Sequence, residues 1–165
     1  MQDLKISLIT GGNGKNDDEL KTTELLSSDG RVRAEKDLPE IRVDHCMLTI
    51  GKHVMIIGGR IPTGPTKSVL VYDSQNGFSL EKGPSMNNAR TYYACSTMVS
   101  PAHGGRTVAV VAGGYGEPNG PETAEILDYT KPGSSWQLSE YFQFFPILNY
   151  FAHGNLMILL MHKIF

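Results

Sequence analysis

Lys52-His53-Val54-Met55-Ile56-Ile57-Gly58-Gly59-Arg60 is a short apolar run that stops on two glycines. The phrase has two more copies, Leu4-Lys5-Ile6-Ser7-Leu8-Ile9-Thr10-Gly11-Gly12 and Thr107-Val108-Ala109-Val110-Val111-Ala112-Gly113-Gly114. Gly11 and Gly58 stand 47 residues apart, and Gly58 and Gly113 stand 55 apart. Self-similarity at a period near fifty residues marks a repeat architecture, in which each unit buries its apolar surface against its neighbours.

In the middle copy, residues 45–50 and 53–57 flank the turn Gly51-Lys52 and read as a hairpin. A loop over residues 60–67 leads to a third strand at residues 68–73. The turn Ser74-Gln75-Asn76-Gly77 then leads to a fourth at residues 78–82. Residues 83–90 lead out. The third unit repeats the plan with strands at 91–99, 107–112 and 123–129 and an outer strand carrying Trp136-Gln137-Leu138. Its turn at residues 100–106 is enlarged, which accounts for most of the longer period. The first unit starts at what is the second strand elsewhere: residues 4–10 alternate with period two, and strands at 22–27 and 31–38 follow.

Composition agrees. The 18 glycines and 9 prolines sit between short apolar runs, as in an all-β chain with many turns. With 15 Lys plus Arg against 17 Asp plus Glu, the formal charge of -2 gives no reason to expect nucleic acid or an anionic membrane. Cys46 and Cys95 are 49 residues apart, one repeat length. Equivalent sites on sheets packed face to face lie about 10 Å apart, beyond the ~7 Å that a bridged pair spans. Two buried free thiols and a reducing, cytoplasmic compartment are therefore expected. Residues 4–10 are too short for a secretory h-region, and no Asn-x-Ser/Thr acceptor occurs.

The hydrophobic run ending in Gly-Gly resembles the kelch repeat. So do Tyr72 with Asp73, Tyr129 with Asp128, the spaced Trp136, and the exits Pro39/Arg42 and Pro84/Arg90. The resemblance covers about residues 4–140 and implies an all-β, partial kelch-type β-propeller of four-stranded antiparallel blades. Residues 1–140 divide into repeats at about 1–42, 43–90 and 91–140. The first lacks the tyrosine and tryptophan and reads as divergent or truncated. Propellers use four to eight blades, so three imply a fragment, a truncated gene product, or a ring closed through an oligomer.

Residues 141–165 form an apolar tail, with no Asp, Glu, Lys or Arg between Tyr141 and His162. Three readings stand: the start of a degenerate fourth blade, a non-native tail, or a membrane helix interrupted by Pro146, Asn149, His153, Gly154 and Asn155. No membrane association is expected.

No constellation carries chemistry. Gly11-Gly12-Asn13-Gly14-Lys15 lacks the first glycine and closing Ser/Thr of a phosphate loop. His45 and Cys46 point to opposite faces of a strand, and the other histidines fall at no ligand spacing. No Gly-x-Ser-x-Gly elbow is present. Catalytic residues, metal and cofactor are all expected to be absent. The resemblance implies instead a non-catalytic protein- or peptide-binding module, of the kind found as the substrate-recognition or scaffold part of a larger protein. Partners would be read by the loops after each glycine pair and by the links between blades. By position these carry Asn13, Lys15 and Asp17; Arg60, Thr63 and Lys67; Asn87, Asn88 and Arg90; and Tyr115, Glu117 and Asn119. Arg42 and Arg90 are alternatively braces of their own blades. The alternative functions are an oxidase-like propeller enzyme and a non-functional fragment of a larger kelch protein.

Overall fold

The computed structural model describes residues 6–73, 79–116 and 123–139. Three antiparallel sheets follow one another along the chain. The first holds β1 (Ile6–Thr10), β2 (Thr23–Ser27) and β3 (Val32–Glu35). The second takes the order β4-β5-β8-β9, from β4 (Cys46–Ile50), β5 (His53–Ile57), β8 (Val69–Asp73) and β9 (Ser79–Lys82). Between β5 and β8 the expected loop is a miniature ribbon of β6 (Arg60–Ile61) and β7 (Gly64–Pro65). The third holds β10 (Ala94–Ser100), β11 (Arg106–Ala112), β12 (Ala124–Leu127) and β13 (Gln137–Ser139). Every sheet is a meander, and among the described residues the three form no closed ring.

The opening phrase shows why its apolar run is unbroken. β5 lies in mid-sheet and both its faces are covered, so its side chains need not alternate with polar ones. Met55 and Ile57 join Val69, Val71, Met86, Ala109, Val111, Leu127 and Trp136 in the core against the third sheet. Ile56, with Leu38, Leu70 and Tyr72, builds the core against the first, where Val54 packs as well. At the strand end Gly58 and Gly59 take φ of 51° and 88°, matched by 70° and 92° at Gly113 and Gly114. A Cβ on Gly59 would stand 2.5 Å from the Val43 carbonyl oxygen, so backbone approach excludes any side chain.

A repeated hydrogen-bond relay ties sheet to sheet. The Gly12 amide donates to the Arg42 carbonyl (2.9 Å), and the Arg42 guanidinium donates to the Gly58 carbonyl (2.7 Å). One repeat later the Gly59 amide donates to the Arg90 carbonyl (2.7 Å), and Arg90 donates to the Gly113 carbonyl (2.7 Å). Each arginine thus holds the sheet it leaves through its backbone and braces the sheet that follows through its side chain. Aromatic donors span the same gaps. The Tyr72 hydroxyl donates to the Lys36 carbonyl, and Trp136 Nε1 donates to the Pro84 carbonyl at 2.8 Å.

Two sequence expectations change. Register counted from the glycines makes Leu127, not Tyr129, the equivalent of Tyr72, because Val54 pairs Tyr72 and Ala109 pairs Leu127. Cys46 and Cys95 are not free thiols: they are joined in a disulfide with Cα atoms 6.3 Å apart. The 10 Å spacing describes sheets at mid-face, whereas these cysteines sit on the first strands, where the second and third sheets approach most closely. The argument from free thiols to a reducing compartment falls with them.

Candidate functional site

Backbone pairing fixes the residue after each glycine pair. Arg60 and Val43 exchange two hydrogen bonds (2.8 and 3.0 Å), as do Tyr115 and Thr91 (both 2.8 Å). Asn13 bridges to Glu19 within its own loop. Equivalent positions on successive sheets put Asn13, Arg60 and Tyr115 along one rim. The next residue of each link, Asp44 and Tyr92, has φ of 53°. Non-glycine residues rarely take this left-handed conformation, and it stores about 1 to 3 kcal/mol of strain.

These pieces meet in a polar row across all three sheets. Arg60 Nη2 donates to Glu19 Oε1 at 2.6 Å, and Arg60 Nε lies 3.9 Å from Asp44 Oδ2. The Tyr92 phenol stands beside the Asp44 carboxylate, whose Oδ2 has no hydrogen-bond partner. The hydrogen bond that Arg60 donates to Glu19 raises the Arg60 pKa, and the neighbouring Asp44 carboxylate raises that of Tyr92. The Tyr92 and Tyr115 rings stay 59% and 70% exposed, enough to offer apolar area beside the charges.

Below the row His45 is packed between Gly11 and Gly59. Burial, then the Arg42 charge, lowers its pKa, and its Nδ1 has no hydrogen-bond partner. Tyr93, the equivalent residue in the next link, donates its hydroxyl proton to the Ile57 carbonyl, and burial raises its pKa.

The structure sorts the sequence-chosen residues into three groups. Asn13, Lys15, Asp17, Thr63, Lys67 and Tyr115 are exposed, and Arg60 is half-buried in the row. Asn88 and Arg90 are buried and turned inward, so a partner cannot reach them. The Glu125 carboxylate accepts from Arg90 Nη2 at 3.1 Å and from the Asn88 amide at 3.1 Å. Asn87 is exposed, yet its Nδ2 is held by Glu125 (2.8 Å) and by the Trp136 carbonyl (2.9 Å). Glu117 and Asn119 lie outside the described residues. Sequence reasoning missed Glu19, Asp44 and Tyr92. The one available signal was that Asp44 and Tyr92 stand at the same place before His45-Cys46 and Tyr93-Ala94-Cys95.

Among the described residues no group of three His, Cys, Asp or Glu could hold a metal ion. None of their helices is long and apolar enough to cross a membrane. What the row offers is a guanidinium shared by two carboxylates, with two open tyrosine rings beside them. No family model matches this chain, and no curated protein is similar to it.

Proposed function

We propose that this chain is a non-catalytic module that binds a protein or peptide, built as part of a kelch-type propeller. The reading face is the rim of post-glycine loops. The observation that carries this is the row Glu19–Arg60–Asp44–Tyr92, which joins loops and links of three sheets beside the open ring of Tyr115. Polar groups held in place by one another, with exposed aromatic rings alongside, suit side-chain recognition at low entropic cost. The near-neutral charge fits a mixed-charge peptide better than nucleic acid. Further blades, from a longer chain or a second copy, would complete a ring.

The test is selection of a random displayed-peptide library on the purified chain, followed by titration of recovered peptides against variants. Arg60→Ala and Tyr115→Ala are expected to weaken binding about ten-fold or more, as anchor truncations do. Arg31→Ala, on the turn at the other end of the first sheet, is expected to leave it unchanged. Peptides that bind all three variants equally would refute the rim as the reading face.

A further inference from the structure

The Cys46–Cys95 bridge joins two strands that share no backbone ladder. β4 belongs to the second sheet and β10 to the third, and the two meet only through side chains across the gap between sheets. Each cysteine opens or nearly opens its strand and is half-buried, so a small thiol can approach. Asp44 and Tyr92, in the links that enter these strands, precede the cysteines by two and three residues. The bridge therefore sits where the two links enter their strands.

We propose that Cys46–Cys95 is a redox-sensitive clamp that sets the separation of the second and third sheets at β4 and β10, and with it the spacing of links 43–45 and 91–93. In the closing step the Cys46 and Cys95 thiols lose two electrons and two protons to a disulfide oxidant of the glutathione class, through a mixed disulfide. In the opening step a dithiol reductant supplies those electrons and protons and leaves as its own disulfide. Opening does not part the sheets. The shared core around Met55, Ile57, Val111 and Trp136 and the Gly59–Arg90–Gly113 relay stay in place. What is released is the inner edge alone, where links 43–45 and 91–93 enter their strands.

The clamp is independent of any peptide-binding role, and its test needs no partner. The full chain, purified without reductant and equilibrated in glutathione buffers of graded potential, is alkylated and weighed. Two labels at the reducing end and none at the oxidising end, appearing together, are expected. Hydrogen exchange of amides 43–46 and 91–95 is expected to quicken about ten-fold or more on reduction, while amides 54–57 and 108–111 change little. The melting temperature is expected to fall by roughly 10 °C, the scale for opening a long closed loop in a domain of this size. Cys46→Ser with Cys95→Ser should show the reduced pattern in every buffer, and Cys95→Ala alone guards against a folding defect in the double variant. Labelling of both cysteines at the oxidising end, or identical exchange in the two states, overturns the proposal.

Discussion

Arg90 and Glu125 meet at 3.1 Å between the second and third sheets with neither side chain reaching solvent. One repeat earlier Arg42 occupies the same place, but the residue equivalent to Glu125 is Leu70, as the pairs Val111 with Glu125 and Ile56 with Leu70 show. Arg42 is left with backbone and hydroxyl acceptors, Gly58 and Ser68, and with Glu40 at 3.9 Å near the surface. Its Nε has no partner and burial lowers its pKa. The relay needs a buried donor at each link, and only one of the two links supplies a buried counter-charge.

Glu125→Ala is therefore expected to destabilise the chain by about 3 to 5 kcal/mol, because it strands a buried guanidinium. It also removes the acceptor of the Asn87 and Asn88 amides. Arg90→Met combined with Glu125→Leu should cost clearly less than the sum of the single losses, since an apolar pair leaves no uncompensated charge. Urea denaturation of the four proteins checks this; strict additivity would show that the pair is not coupled.

The glycine pair gives a second contrast. Gly59→Ala places a methyl group 2.5 Å from the Val43 oxygen and 2.7 Å from His45 Cβ at φ of 88°. Gly51→Ala has a similar left-handed backbone but open space around it. The Gly51 variant is expected to lose about 1 to 2 kcal/mol, the cost of a left-handed alanine. The Gly59 variant should lose at least twice as much, or fail to fold. Equal thermal shifts for the two would contradict the close approach of Gly59 to Val43 and His45.

What was legible in the sequence was whatever repeats along it. The Ile56-Ile57-Gly58-Gly59 phrase, the meander order and the turn residues lie within a few positions of one another, so local pattern sufficed. What was hidden depends on partners a whole sheet away. Glu19 and Arg60 are 41 residues apart, and Trp136 reaches back 52 residues to Pro84. The cysteines were misjudged for a geometric reason, since an average sheet spacing says nothing about where two sheets converge. Arg90 and Asn88 looked like reading residues because links are usually exposed. The buried carboxylate of Glu125, 35 residues on from Arg90, turns them inward.

His45 makes stability depend on pH. Its folded-state pKa is depressed by burial and by Arg42, so below the ordinary value of about 6.5 the unfolded chain binds the proton more readily. The stability is present above that value and is lost as pH falls toward the folded pKa, by at most about 1.4 kcal/mol per unit. The groups facing the imidazole are Arg42, the Asp44 carboxylate and the backbone of Thr10 and Arg42. His45→Tyr copies Tyr93 and should flatten the loss between pH 6.5 and 5. Urea midpoints across that range decide it, and an equally steep fall in the variant would exclude His45 as the source.

With the rim as the proposed reading face, Tyr92 is expected to set stability against binding. Asparagine tolerates φ of 53° far better than tyrosine, so Tyr92→Asn relieves part of the backbone strain. The exposed ring has little packing to lose, and the predicted change in stability is between about zero and 1 kcal/mol in favour of the variant. Binding should move the opposite way. Loss of the ring beside Asp44 opens one side of the Arg60 row, and affinity for a selected peptide is expected to fall about ten-fold or more. Melting curves and peptide titration on the same preparation separate the two effects. A less stable variant that still binds would mean that Tyr92 holds the link together and reads nothing.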